Sequence, residues 1–271
     1  MNPSERVRAT VRRLQAEGDR ISPPLPDGTR TTRLIHSGIE TFRESPPFMY
    51  MALRPAGGDE AAISEWSLTR RLFDTGNRHS AVIDETWSES GGRGGGAQQL
   101  AVQAVFSLLA GDSLPAVLEW LEASPSVPEE RLLPGSLSLL RETPMCHMNP
   151  FRVDLDAAGR VGVSEPAEKA IGLELIEAVR PRVLICDGNS DGEPWSSPWA
   201  FAHSTSPESS VVSRTARPRT FLYKETQLQS GPLAGMTVIG LPTLARVRGH
   251  GLAVLLGLIN ERITEIHDAA R

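Results

Sequence analysis

Cysteine is nearly absent from this chain, with two residues in 271, Cys146 and Cys186. Both stand inside apolar runs, so buried reduced thiols are expected rather than a disulfide or a metal pair. Histidine is thin as well, and its six residues fall at no metal-ligand spacing, which leaves no basis for a zinc site. No apolar run reaches the length of a membrane span. The N-terminal stretch holds Arg6, Arg8, Arg12 and Arg13 but lacks the apolar core of a signal peptide. The expectation is a cytoplasmic monomer that acts without cofactor or metal and away from membranes.

What is present is enough to bury a core. An apolar content of 39% over this length suits one large α/β domain better than two small ones. The expected organisation is an N-terminal helix and extended lead-in over 1–44, followed by a single α/β domain over 45–271. Within the lead-in, residues 4–17 place Val7, Val11 and Leu14 on one helical face, and the Ser22–Gly28 stretch then breaks regular structure.

Four later segments share one pattern, an apolar run that ends in polar residues beside Gly or Pro. They are Met49–Glu60, Pro144–Arg152, Arg182–Asn189 and Met236–Thr243. In a parallel sheet such ends converge on one crevice. The apolar stripe of Ala167, Ala170, Ile171, Leu173, Leu175, Ile176 and Val179 predicts a helix over 165–179 leading straight into the third strand, the βαβ signature. Further helices are expected at 98–110, 113–122 and 128–141, with Ser113 as a cap and Pro115 in the first turn. A closing helix is expected at 250–266. Thr220–Tyr223 is expected to add a short edge strand, and Gly192–Ser210 to form an ordered loop over the sheet edge.

The charge is unevenly placed. From Val211 to His250 the basic residues are Arg214, Arg217, Arg219, Lys224, Arg246 and Arg248 against Glu225 alone, a local +5 in a chain of net charge −5. Such a partition suits a phosphate-binding face, and equally a solvated basic surface. The tract Gly91–Ala97 fits G-x-G-x-x-A, yet the polar residues Asp84–Ser90 before it do not read as a strand, so a linker is favoured over a phosphate cradle.

Taken in order, the four segments resemble the uracil-DNA glycosylase superfamily. Ala52-Leu53-Arg54-Pro55-Ala56 is similar to the superfamily's opening motif. Asn149 resembles the Asn that reads the extruded base, and Thr243-Leu244-Ala245-Arg246 stands in place of the closing His-Pro-Ser-Arg loop. The resemblance spans residues 45 to 265 and implies a three-layer α/β/α fold around a central, mostly parallel four-stranded sheet. It also implies a hydrolase that binds DNA, flips a nucleotide out of the stack and cuts its N-glycosidic bond in base excision.

That chemistry needs a carboxylate or positioned water on the sugar side and donors on the departing base. Asp59 and Glu60 are the leading carboxylates, or else cap a helix near Ala61, and Asp187 is the alternative base. Gly57 and Gly58 let backbone N–H groups approach, and Arg54 replaces a water-orienting polar residue. Asn149 offers the donor and acceptor that read a pyrimidine edge, or serves as a turn residue before Pro150. His147 shares its strand face, Phe151 is placed to stack on the base, and Thr243 stands where the family His stabilises the leaving base. Arg214, Arg217, Arg219, Arg246, Arg248 and His250 are the candidates for DNA phosphates. Small residues around the opening loop imply a roomy pocket, and so a modified pyrimidine such as hydroxymethylated or glucosylated cytosine of phage DNA, as in antiviral defence proteins of this superfamily. The rival readings are an inactive DNA-binding module of the same fold and a nucleotide-dependent transferase using Gly91–Gly96.

Overall fold

The structure, a computed structural model, describes residues 2–21, 34–35, 37–52, 96–123, 139, 142–148, 165–192, 196–216, 221–247 and 249–271. The first element is helix α1 (Pro3–Ile21), which opens on a capping box. Asn2 Oδ1 accepts from the Glu5 amide, and Glu5 Oε2 accepts from the Asn2 amide, each at 2.8 Å. The expected face of Val7, Val11 and Leu14 is buried. Burying a side chain such as Leu14 contributes about 1.5–3 kcal/mol.

The strands follow as β1 (Phe48–Ala52), β2 (Met145–His147), β3 (Val183–Asp187), β4 (Val211–Ala216), β5 (Phe221–Gln227) and β6 (Thr237–Leu241). They form a single sheet in the order β2-β1-β3-β6-β5-β4. The pairs β1–β2, β1–β3 and β3–β6 are parallel, whereas β4–β5 and β5–β6 are antiparallel. The α/β class is as expected, but the expected four-stranded sheet is a six-stranded mixed one. Four parallel strands are present, and a hairpin extends them on the β6 side. The expected short edge strand is therefore an interior one, and β4, which the apolar pattern does not reveal, is the edge on that side, with β2 at the other.

Helices cover both faces. On one lie α2 (Gly96–Ala110), α3 (Leu114–Ala123) and α6 (His250–Ala270), packed on Phe48, Tyr50, Val183, Ile185, Ile239 and Leu241. On the other, α1 joins α4 (Glu165–Val179) and α5 (Pro198–His203) over Met49, Met51, Cys146, Leu184, Cys186 and Val238. Coverage on both sides is why β1, β3 and β6 are unbroken apolar runs, buried at every residue. Ser113 Oγ accepts from the Ala116 amide at 3.4 Å at the start of α3, the expected cap. The expected loop over 192–210 instead contains α5, started by Ser197, whose hydroxyl accepts from the Ala200 amide, with Pro198 in the first turn. The expected helix at 128–141 lies almost wholly outside the described residues. Among those described, no helix is long and apolar enough to cross a membrane.

Candidate functional site at the carboxyl ends of the parallel strands

Register sets the site. Ala52 is paired with His147 on one side and Asp187 on the other, and Asp187 with Leu241. The last residues of the four parallel strands thus form one row across the sheet, and the chain leaves each of them into one of the segments singled out above. In open parallel sheets this edge is where ligands bind.

Asp187 is the best-defined charged residue of the row. It is 2% exposed and stands on the α2 face of the sheet, where Tyr50 Oη donates to its Oδ2 at 2.6 Å. Its Oδ1 accepts from the Leu244 amide at 2.7 Å. Leu244 opens the 3-10 turn Leu244–Arg246, so one carboxylate ties β1 and β3 to the start of the segment that follows β6. With both oxygens engaged, Asp187 is built to hold that turn in place, and the expected alternative base sits in a bonded, buried position. Tyr50 is the partner that sequence reasoning missed, since its hydroxyl stands inside an otherwise apolar run.

Beside it the chain bends sharply. Gly188 has φ of +122°, a conformation suited to glycine, and a Cβ there would meet Pro198 Cδ at 3.2 Å. Its amide donates to Leu241 O at 2.9 Å, and its carbonyl accepts from the Trp199 amide. Asn189 Nδ2 donates to Gly240 O at 3.2 Å, closing the gap between the β3 and β6 ends. Thr243 is half-buried, with its Oγ1 3.7 Å from the position of that Gly188 Cβ, so the residue standing for the family His faces the Gly188 bend.

His147 is buried at the end of β2, and its amide donates to Leu34 O at 3.0 Å. By strand alternation it shares the sheet face of Tyr50 and Asp187. Arg246 is exposed at the end of the 3-10 turn, and His250 is the exposed first residue of α6. Arg214 lies on β4, half-buried, and pairs with the exposed Glu261 at 3.4 Å. Arg54, Gly57, Gly58, Asp59, Glu60, Asn149, Phe151, Arg217, Arg219 and Arg248 lie outside the described residues, as do Gly91–Gly95. Gly96, the last glycine of that tract, begins α2.

Lys224 departs from the expected basic surface. It is buried on β5, and its side chain points to the α5 face of the sheet, where Trp199 lies. Glu225 points the other way, taken by Arg262 of α6 in two-pronged contact at 3.0–3.2 Å. Burial raises the Tyr223 hydroxyl, with help from the neighbouring Glu225 charge. Cys146 and Cys186 are both free and buried, flanking Met51 across the sheet, and burial pushes both thiols well up. They are packing residues in this setting, with little thiolate to offer as nucleophile or ligand. Among the described residues no group of three or more His, Cys, Asp and Glu is arranged to hold a metal ion.

Compared with protein-family models, with curated proteins and with solved structures, the chain matches none.

Proposed function

We propose that this protein is a DNA glycosylase that extrudes a modified or damaged pyrimidine and hydrolyses its N-glycosidic bond, leaving an abasic site. One observation carries the reading: the row Ala52, His147, Asp187 and Leu241 gives the four segments that resemble glycosylase motifs a common origin at one edge of a parallel sheet. In this reading Asp59 or Glu60, on the segment after β1, positions water at the sugar. Asn149, two residues beyond β2, reads the base edge, and Thr243 donates to the departing base. Asp187 fixes the turn that follows Thr243, and Arg246 and His250 flank it as exposed groups for DNA phosphates.

The test is release of free base. Genomic DNAs with plain, hydroxymethylated and glucosylated cytosine, and DNA containing uracil, are incubated with the full chain. Free bases are then identified by mass spectrometry and abasic sites are counted. Release is expected from the modified-cytosine DNAs in preference to uracil DNA, and Asp59→Asn lowers the rate about 10²–10⁴-fold. The second reading, an inactive DNA-binding module on this fold, is favoured by the full engagement of both Asp187 oxygens. Binding to DNA with no base released from any of them would establish that reading instead.

A further inference from the structure

One charged group beside the row of strand ends has no part in the chemistry above. Lys224 pairs across the sheet with Gly240, one residue short of the row at the strand ends, and its side chain is 3% exposed. Its ammonium lies 5.7 Å from the centre of the Trp199 ring system, within reach of a cation–π attraction. The indole comes this close because residue 240 is glycine: a Cβ there would stand 2.7 Å from Trp199 Cε3.

Among the described residues the ammonium has one ion-pair partner, Asp191 Oδ1 at 2.5 Å. It makes no hydrogen bond there, so the pairing is a charge contact without bond directionality. The two partners are unlike. The lysine is enclosed, whereas the Asp191 side chain is 79% exposed. A buried cation stripped of its counter-charge is strongly unfavourable, so the charged form of Lys224 favours an anion beside it. An exposed carboxylate, by contrast, returns to water at little cost. The cation is therefore fixed and the anion exchangeable. The choice of residue fits: the chain has only two lysines, Lys169 and Lys224, among 28 basic residues. A lysine presents a compact charge with three donors, where arginine presents a wide planar fork.

We propose that Lys224 is the floor of an oxyanion site that takes a phosphate dianion, with Asp191 as the resident carboxylate that the phosphate displaces. The incoming anion must compete with a carboxylate tethered at high local concentration. A phosphate dianion brings the extra negative charge to do so. Asn189, held on the Gly240 carbonyl, places the site directly beside the row of strand ends. The same dianion chemistry belongs to a terminal phosphate on DNA and to free phosphate. The site requires no glycosidic chemistry and stands or falls apart from the glycosylase reading.

The test is calorimetric titration of the full chain at constant ionic strength, with inorganic phosphate and with an oligonucleotide in 5′-phosphorylated and unphosphorylated forms. Phosphate is expected to bind the wild type, and Asp191→Asn, which removes the competitor at an exposed position, to bind it about threefold to tenfold tighter. Lys224→Met abolishes binding. A 5′-phosphate that strengthens oligonucleotide binding in Asp191→Asn, and not in Lys224→Met, identifies a DNA end as the source; equal binding of the two oligonucleotides identifies free phosphate. Unchanged or weaker phosphate binding in Asp191→Asn, with its melting curve and circular dichroism intact, overturns the proposal. So does the absence of phosphate binding in both wild type and Asp191→Asn.

Discussion

The four parallel strands and the β4–β5 hairpin belong to one sheet but are held by different forces. In the parallel part β1, β3 and β6 bury every residue, and apolar helices close both faces. In the hairpin the edge strand leaves Val211 and Val212 exposed at 41% and 47%, and charged side chains from both strands form ion pairs. Arg214 meets Glu261, Lys224 meets Asp191, and Glu225 meets Arg262. Burial in the first part is non-directional and fixes only where the strand ends lie. The ion pairs of the second join single side chains and can be removed one at a time.

The largest test of this contrast falls on the one carboxylate in the parallel row. Asp187→Ala leaves two donors, Tyr50 Oη and the Leu244 amide, without this acceptor in a buried site. A loss of about 3–5 kcal/mol is expected in urea unfolding, while Tyr50→Phe, which leaves the Leu244 bond intact, costs about 1–2 kcal/mol. A cost near zero for Asp187→Ala would mean that water replaces both bonds, and that the row is open to solvent after all.

A smaller effect is expected at the seam between the two parts. Gly240 belongs to β6, pairs with Cys186 on the parallel side and with Lys224 on the hairpin side, and carries Trp199 against it. Gly240→Ala drives a Cβ into the indole, so it should lower stability by about 1–3 kcal/mol through overpacking. The near-ultraviolet circular dichroism of the tryptophans should change with it. If the variant is as stable as the parent and its tryptophan signal is unchanged, Trp199 is free to move and the Lys224 site lacks its wall.

These two positions also mark how far the sequence could be read. The parallel strands were legible because burial on both faces leaves uninterrupted apolar runs, and the helix over 165–179 because its stripe is broad. The hairpin was not. Val211–Ala216 mixes Val with Ser, Thr and Arg, and Lys224 and Glu225 interrupt β5 at positions whose partners, Asp191 and Arg262, lie more than thirty residues away. A charge in a short window reads as a solvated face, and only tertiary contact turns it into a buried pair. At the site, Asp187 was visible as a polar residue ending an apolar run. Its bonds to Tyr50 and Leu244 were not, because they join segments distant in sequence.

The smallest stability effects are expected on the basic surface, where they sharpen the contrast by separating folding from binding. Arg214 and Glu261 are 40% and 62% exposed and 3.4 Å apart, and pairs of this kind contribute little in water. Arg214→Ala should therefore lower stability by less than about 0.5 kcal/mol, and Arg246→Ala, at an exposed position after the β6 strand end, by no more. Their effects on DNA should differ. Arg246 leaves the 3-10 turn anchored by Asp187, so a phosphate contact there is well placed, and its loss should weaken DNA binding equally for all sequences. It should also reduce the slope of log affinity against log salt by about 1. Arg214 already has a carboxylate partner on α6, so its removal should change that slope less. Measuring both slopes by fluorescence anisotropy over a range of salt, with unfolding curves alongside, decides the matter. Equal slopes for Arg246→Ala and the wild type would remove Arg246 from the proposed DNA-binding face, and a larger change at Arg214 would move that proposed face from the strand ends to the hairpin edge.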